Sequence, residues 1–164
     1  MSMSKDLEKL MIEQIRNEIE SGYIYLGMAV AMSDLSFSGC AKWMRKQAKE
    51  EVEHGMKIFD FLESRGIKID LLPIAQASTS YKSPIEAFEA ALKHEKKITA
   101  SIHKMYDLAV KDKDYESQNM LNWFINEQIE EEEQTQYMLN RLKLAEKDIC
   151  ATLQIDKEAG ARGD

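Results

Sequence analysis

Five ionisable residues lie on the faces of the sequence where apolar residues are expected. Spacings of three and four residues, which place side chains on one side of an α-helix, define these faces. The five are four glutamates and one histidine: Glu18, Glu51, His54, Glu95 and Glu131. A single such glutamate could reach solvent or pair with a lysine, because carboxylates are seldom fully buried. Four carboxylates at similar depth in an apolar core require a shared partner or must take up protons.

A pair of divalent cations would neutralise these carboxylates, since no lysine or arginine lies on the same faces. Four carboxylates and one imidazole form a hard, oxygen-rich ligand set that suits iron or manganese better than copper. A structural zinc site would favour Cys and His. Glu51 and His54 have the Glu-x-x-His spacing, which is a weak signal alone. When a glutamate from each of the other long helices joins this pair, the combined set is the pattern of di-iron carboxylate proteins.

Four long amphipathic segments position these residues. We predict helices over residues 5–32, 40–65, 84–111 and 115–144. Gly66 ends the second segment, and Ser83, Pro84 and Glu86 form a capping box with proline at the first helical position. A shorter fifth helix is predicted over 146–158.

The connections between these segments determine the topology. The first and second helices have a short link, as do the third and fourth, so each pair should be antiparallel. Residues 67–82 have no helical period, and so long a connection must travel the length of the bundle. We therefore predict an all-α fold, a four-helix bundle with one long crossover and a short C-terminal helix, in one domain over residues 1–164.

Composition narrows the class of protein. The 164 residues carry a net charge of -7, which disfavours nucleic acid as a partner and attracts cations. No run approaches the roughly 18 apolar residues of a membrane span, and the first residues lack a signal-peptide pattern, so we expect a cytoplasmic protein without membrane partners. Cys40 and Cys150 form no C-x-x-C pair, which excludes a zinc ribbon or a rubredoxin-like iron centre, and we expect both thiols to be reduced.

Each long helix also carries a longer motif. In chain order the motifs are NEIESGYIYL, QAKEEVEHGMKIFDF, ALKHEKKIT and MLNWFINEQIEEEE, and LQIDKE follows in the tail. In this order and at these intervals, the motifs resemble those of bacterial non-haem ferritins along nearly the whole chain. The resemblance implies an iron-storage protein that oxidises Fe(II) with O2 or hydrogen peroxide and keeps Fe(III) as a mineral.

The resemblance also implies which residues bind iron. The paired site would draw on six residues: Glu18, Glu51, His54, Glu95, Gln128 and Glu131. Glu18, Glu51 and His54 would hold the first iron. Glu51 would bridge to a second iron that Glu95 and Glu131 also hold, with Gln128 close by. Tyr25 would hydrogen-bond into the site and is a candidate electron donor, although a core tyrosine with a satisfied hydroxyl fits equally well.

A third, weaker iron site is implied beside the paired one. It would use Glu50, Glu127 and Glu130, but carboxylates in a run such as EQIEEEE also suit a solvated face. We assign Glu132 and Glu133 to that solvated face.

Haem is not expected. Bacterioferritins place a haem-binding methionine directly after the glutamate of Glu-x-x-His, where this sequence has Val52. They also carry a second Glu-x-x-His on the fourth helix, where Gln128 and Glu131 stand here. We interpret His94 and His103 as surface or boundary residues. Trp123 matches a tryptophan beside the site in related ferritins, and we expect it mainly to pack in the core.

Storage requires a cavity that no single bundle has. The resemblance implies a hollow homo-oligomer of about 24 subunits, with the fifth helix lining its fourfold axes. Two other classes stay open. One is a rubrerythrin-type oxidase or peroxidase that stores no iron, against which the missing C-x-x-C module and the fifth helix count. The other is a non-catalytic subunit that only nucleates mineral, although such subunits have lost paired-site ligands.

Overall fold

Five α-helices make up the secondary structure of residues 3–162, the part of the chain that the computed structural model describes, and no strand occurs among them. The helices are α1 (Lys5–Asp34), α2 (Ser38–Ser64), α3 (Pro84–Lys111), α4 (Tyr115–Leu144) and α5 (Ile149–Gly160). The predicted fold class, a four-helix bundle with one crossover and a short C-terminal helix, is confirmed. Over this range no helix is both long enough and apolar enough to cross a membrane.

Local side-chain chemistry sets the helix ends. The Ser83 side chain accepts a hydrogen bond from Glu86 N, and Pro84 occupies the first turn, as the capping-box pattern predicts. α5 begins at Ile149, later than the predicted 146, because the Asp148 carboxylate accepts hydrogen bonds from the next free backbone amides. α1 continues to Asp34 and ends before Ser36, whose φ of 65° breaks the helix.

Two apolar clusters fill the bundle and leave a polar layer between them. One cluster centres on Tyr25, Trp43 and Phe88. The other includes Leu7 and Phe124. On every long helix the buried glutamate falls between these two clusters in the sequence, so the bundle is apolar towards both ends and acidic at mid-height.

A glycine allows α1 and α2 to approach closely beside this layer. A Cβ added at Gly22 would lie 2.8 Å from the backbone oxygen of Ala48 and 3.1 Å from a methyl carbon of Val52. Any side chain there would push the two helices apart. Gly22 therefore sets the distance between the two helices that carry Glu18 and Glu51.

α5 docks against the beginning of α2. Ile155 and Ala159 are buried against the bundle, and the Asp156 carboxylate accepts hydrogen bonds from Gly39 N (3.1 Å) and Cys40 N (2.7 Å). Phe37, which precedes α2, supplies no side-chain cap of its own. Asp156 thus provides the negative charge and the acceptors that the first turn of α2 requires.

Candidate metal centre

The five residues predicted to share a partner lie together in the polar layer. Each is at most 5% exposed, and the four long helices each contribute at least one of them: Glu18, Glu51, His54, Glu95 and Glu131. They converge because α1 and α2 place Glu18 opposite Glu51, and α3 and α4 place Glu95 opposite Glu131. Burial of four carboxylates without a cation is unfavourable.

Their ligand atoms form two cation-sized groups. Glu18, Glu51 and His54 each offer one atom to the first group, in which all three atoms lie within 4.8 Å of one another. Glu51, Glu95 and Glu131 meet the same criterion in the second group. Because Glu51 belongs to both groups, its carboxylate is placed to bridge two cations.

Each residue of the first group has one buried polar atom without a hydrogen-bond partner among the described residues. These atoms are Glu18 Oε2, Glu51 Oε2 and His54 Nδ1. His54 Nδ1 lies 3.6 Å from Glu51 Oε2, which is too long for a hydrogen bond. A buried polar atom without a partner costs about 1–3 kcal/mol, and lone pairs facing one space are what a cation binds. The residues therefore fit a metal ion.

Glutamine side chains hold the other carboxylate oxygens. Gln14 Nε2 donates to Glu18 Oε1 at 2.8 Å. Gln47 Nε2 donates both to Glu51 Oε1, at 3.1 Å, and to Glu131 Oε2. Neither glutamine was predicted to take part in the centre. Each precedes a glutamate of the centre by four residues, and this spacing is the signal that could have revealed them.

Glu95 is held from two sides. The Tyr25 hydroxyl donates a hydrogen bond to Glu95 Oε1, and Gln128 Nε2 donates to Glu95 Oε2 at 3.2 Å. Gln128 Nε2 also contacts Thr99 Oγ1 at 3.2 Å. Tyr25 is fully buried, and burial together with the charge of Glu95 raises its pKa well above the usual range. Tyr25 therefore keeps its proton and remains a donor to Glu95.

Burial dominates the protonation of the centre. It raises the pKa of Glu95 to about 8 and that of Glu131 to about 9, with the charge of Glu51 adding in both cases. The pKa of Glu18 is also raised well above its usual range by burial and then by Glu51. Burial alone lowers the pKa of His54, but the neighbouring carboxylates Glu51, Glu127 and Glu95 together more than offset this, so the net shift is upward. In the absence of a cation, protons neutralise the centre.

A family model described as Ferritin-like domain matches residues 8–145. The chain belongs to the ferritin family. The resemblance to bacterial non-haem ferritins that the helix motifs indicated is thereby confirmed.

Related ferritins match over nearly the whole chain. The bacterial non-heme ferritin of Staphylococcus haemolyticus is 36% identical over 161 residues, covering 98% of this chain and 96% of the relative. An open pore ferritin from the hyperthermophilic archaeon Archaeoglobus fulgidus superimposes with a TM-score of 0.97 at 36% identity, covering 99% of both chains. A structure described as a humanized archaeal ferritin has a TM-score of 0.97 at 37% identity, covering 99% of this chain and all of the other.

The carboxylates predicted for a third iron site lie at the edge of this ferritin centre. Glu127 is half-buried, and its Oε1 lies 3.6 Å from His54 Nε2. Glu127 and His54 form a third cation-sized group with Glu131. Glu50 is half-buried and Glu130 is exposed, and among residues 3–162 no such group contains Glu50, Glu127 and Glu130 together.

Two residues differ from their predicted environments. Trp123 is 36% exposed rather than packed in the core; its ring stands edge-on to His54 at 5.4 Å, and Lys57 Nζ lies 4.3 Å from its centroid. Glu132 is half-buried and accepts a hydrogen bond from Thr99 Oγ1 at 2.6 Å, so it does not belong to the solvated face. In both cases a neighbouring helix offers a partner that spacing along α4 alone does not reveal.

The remaining residues lie where the sequence predicted. Glu133 and His103 are exposed, and His94 is half-buried, with Nε2 2.6 Å from Ser21 Oγ. Val52 of α2 is 42% exposed.

Proposed function

We propose that this ferritin oxidises Fe(II) at the buried centre and stores the Fe(III) product as a mineral. The observation that carries the proposal is the pair of cation-sized groups that share Glu51, with three unpartnered ligand atoms in the first group. A single cation would leave the second group of buried carboxylates to be neutralised by protons. Two cations neutralise both groups.

Fe(II) is the substrate, and two ions would bind side by side. Glu18 and His54 hold the first, Glu95 and Glu131 hold the second, and Glu51 bridges them. Gln128 lies beside the second position, where its hydrogen bond fixes Glu95. The glutamine donors already hold one oxygen of each carboxylate, so little side-chain reorganisation accompanies binding.

The electrostatics of the centre favour the oxidised product. Anionic carboxylates stabilise Fe(III) more than Fe(II), because the ion of higher charge gains more from them. The two Fe(II) ions give one electron each to O2, which takes up two protons and leaves as hydrogen peroxide. With hydrogen peroxide as the oxidant, the same two electrons and two protons yield two water molecules. Tyr25 is a candidate electron donor to the site, with Glu95 beside its hydroxyl to accept the proton that leaves with the electron.

A third iron would bind more weakly at Glu50, Glu127 and Glu130. The Glu127 contact to His54 Nε2 supports this proposal because it links the outer carboxylates to the paired site. We expect this ion to be exchangeable, since Glu130 is exposed.

Storage requires assembly. We propose a hollow cytoplasmic homo-oligomer of about 24 subunits, in which Fe(III) leaves the bundle for the interior. The presence of α5 and the likeness to an open pore ferritin support it. Haem is not part of the proposal, because a valine occupies position 52.

The test is oxidation of Fe(II) by the full-length protein. We expect rapid oxidation of about two Fe(II) per chain for each O2 consumed. E51A/H54A should lose this rapid phase by ~100-fold or more, since changes to outer-shell groups alone cost metal sites ~10–100-fold. E53A is the matched control, because Glu53 lies on the same helix but is exposed and pairs with Lys49. A normal rate in E51A/H54A would refute the proposal.

A further inference from the structure

The C-terminal end of the chain reaches back to the metal centre. Arg162, just beyond α5, donates from Nη1 to Gln47 Oε1 and from Nη2 to Glu50 Oε2, both at 2.9 Å. Its guanidinium lies over the Trp43 ring, 4.8 Å from the centroid. The side chains of Arg162 and Glu50 are only 19% and 29% exposed, so solvent screens their attraction only in part.

Arg162 determines which way the Gln47 amide faces. A guanidinium has only donors, so the amide oxygen must face Arg162. Carboxylates only accept, so the amide nitrogen must face Glu51 and Glu131, to which it donates. Gln47 is fully buried and has no exposure to water that could replace a lost partner. The Arg162 contact thus fixes the donor that holds two ligand carboxylates.

Arg162 also neutralises a carboxylate that the third iron would need. The planar guanidinium is held by stacking on Trp43. Lys46 Nζ approaches the other oxygen of Glu50 only to 3.8 Å. A cation that binds Glu50 must therefore displace Arg162 or share the carboxylate with it.

We propose that Arg162 is a positioning residue that weakens cation binding at the third site and couples that site to the paired one. Binding at Glu50 displaces the guanidinium, and Gln47 then loses the partner that orients its amide. The hold on Glu51 and Glu131 loosens as a result. This inference rests on the proposed function, because it concerns a site that the function requires.

Calorimetric titration of the metal-free, full-length protein with Zn²⁺ tests the inference without oxidation chemistry. Removing the guanidinium charge in R162Q should tighten the third Zn²⁺ about tenfold, as expected for a half-buried ion pair. It should also weaken the first two by about threefold to tenfold, because Gln47 loses the partner that orients its amide. R141Q is the matched control, because Arg141 pairs with Glu158 of α5 and, among residues 3–162, forms no ion pair with a residue of the centre. An unchanged third affinity in R162Q, or an equal gain in R141Q, would overturn the inference.

Trp43 fluorescence tests the displacement of Arg162 in a protein that still contains Arg162. The chain has two tryptophans, so W123F leaves Trp43 as the only reporter. Its emission should change as the third Zn²⁺ binds and the guanidinium leaves the ring, and this change should be absent in W123F/R162Q. The same change without Arg162 would contradict displacement.

The titration distinguishes a failure of the proposed paired site from a failure of the role assigned to Arg162. If the unmodified protein does not bind the first two Zn²⁺ tightly, the paired site is wrong and both proposals are overturned. If two Zn²⁺ bind tightly but the third is insensitive to Arg162, the inference alone is overturned.

Discussion

Glu51 Oε2 and His54 Nδ1 lie 3.6 Å apart on consecutive turns of α2, and neither has a hydrogen-bond partner among the described residues. Two such atoms destabilise the metal-free protein. The same two atoms stabilise the protein once a cation lies between them, because ligand binding favours the folded state. Glu51 and His54 thus destabilise the metal-free protein and stabilise the metal-bound protein.

The first prediction uses this opposition. E51A/H54A should keep or raise the melting temperature of the metal-free protein, because it removes a carboxylate from among three others. It should also lose most of the stabilisation that added Zn²⁺ gives the unmodified protein. Thermal unfolding with and without Zn²⁺ measures both effects. A large loss of metal-free stability together with normal iron oxidation would show that Glu51 and His54 are structural.

The second prediction concerns pH. The folded-state pKa values of Glu95 and Glu131, about 8 and about 9, exceed the usual 4.5, so the folded state binds more protons between these limits. The free energy of unfolding of the metal-free protein should therefore fall with rising pH over this interval. The favourable contribution is fully present below about pH 4.5 and lost above about 9.

Chemical denaturation at several pH values measures this slope. E95Q/E131Q is the control, because neither amide titrates, and it should flatten the curve by an amount on the order of a few kcal/mol. A slope unchanged by these substitutions would mean that other groups cause it.

The third prediction concerns helix spacing. G22A places a Cβ 2.8 Å from Ala48 O, a backbone atom that cannot move independently of α2. We expect a net loss of about 1–3 kcal/mol despite the gain in helix propensity, together with weaker Zn²⁺ binding as Glu18 and Glu51 separate.

G55A is the matched control for this substitution. Its Cβ would contact mainly side-chain atoms, Ile19 Cγ1 at 3.2 Å and Glu18 Cβ at 3.4 Å, and should be tolerated better. Unfolding by denaturant compares the two variants. Equal stability would show that the helices have freedom to separate.

The fourth prediction tests the third iron site. E130A should alter the ratio of iron oxidised to O2 consumed and spare the first rapid oxidation, because Glu130 lies outside both groups of the paired site. E133A, which removes another exposed carboxylate of α4, should change neither quantity. An unchanged ratio in E130A would mean that Glu130 belongs to the solvated face and does not bind iron. Oxygen-electrode measurements at increasing iron loading provide the comparison.

The fifth prediction concerns α5. D156A removes both acceptors from the first turn of α2 and should cost about 1–2 kcal/mol, whereas D156N should retain part of the cap. Deletion of the residues after Lys147 should also weaken the assembly while leaving the four-helix bundle folded. Light scattering at neutral pH measures the size of the assembly, and a full-sized particle without α5 would contradict this role.

Sequence patterns predicted the bundle because periodicity reports burial directly. The faces that hold Glu18, Glu51, Glu95 and Glu131 were identified by the same spacing that defines the core. That these residues bind iron stays a prediction, which metal titration and iron oxidation test. The hydrogen bond from Gln47 to Glu51 could also have been predicted from spacing, since the two residues are four positions apart on one helix.

Contacts between distant parts of the chain were not predictable from one sequence. Arg162 and Gln47 are separated by 115 positions, and nothing in the local sequence of the tail indicates where it folds. The same holds for Thr99 and Glu132, which meet only because α3 packs on α4. Such pairs depend on the rotation and register of whole helices.

The division of the core into two apolar clusters separates the residues that stabilise the bundle from the residues of the candidate site. Most of the free energy of burial resides towards the two ends of the bundle, whereas the candidate site occupies the polar layer between them. Substitutions at the ends are distant from the candidate site and should act additively with changes in the polar layer. A lineage can therefore adapt such a bundle to a new growth temperature without altering the site, and can alter the site without remaking the scaffold.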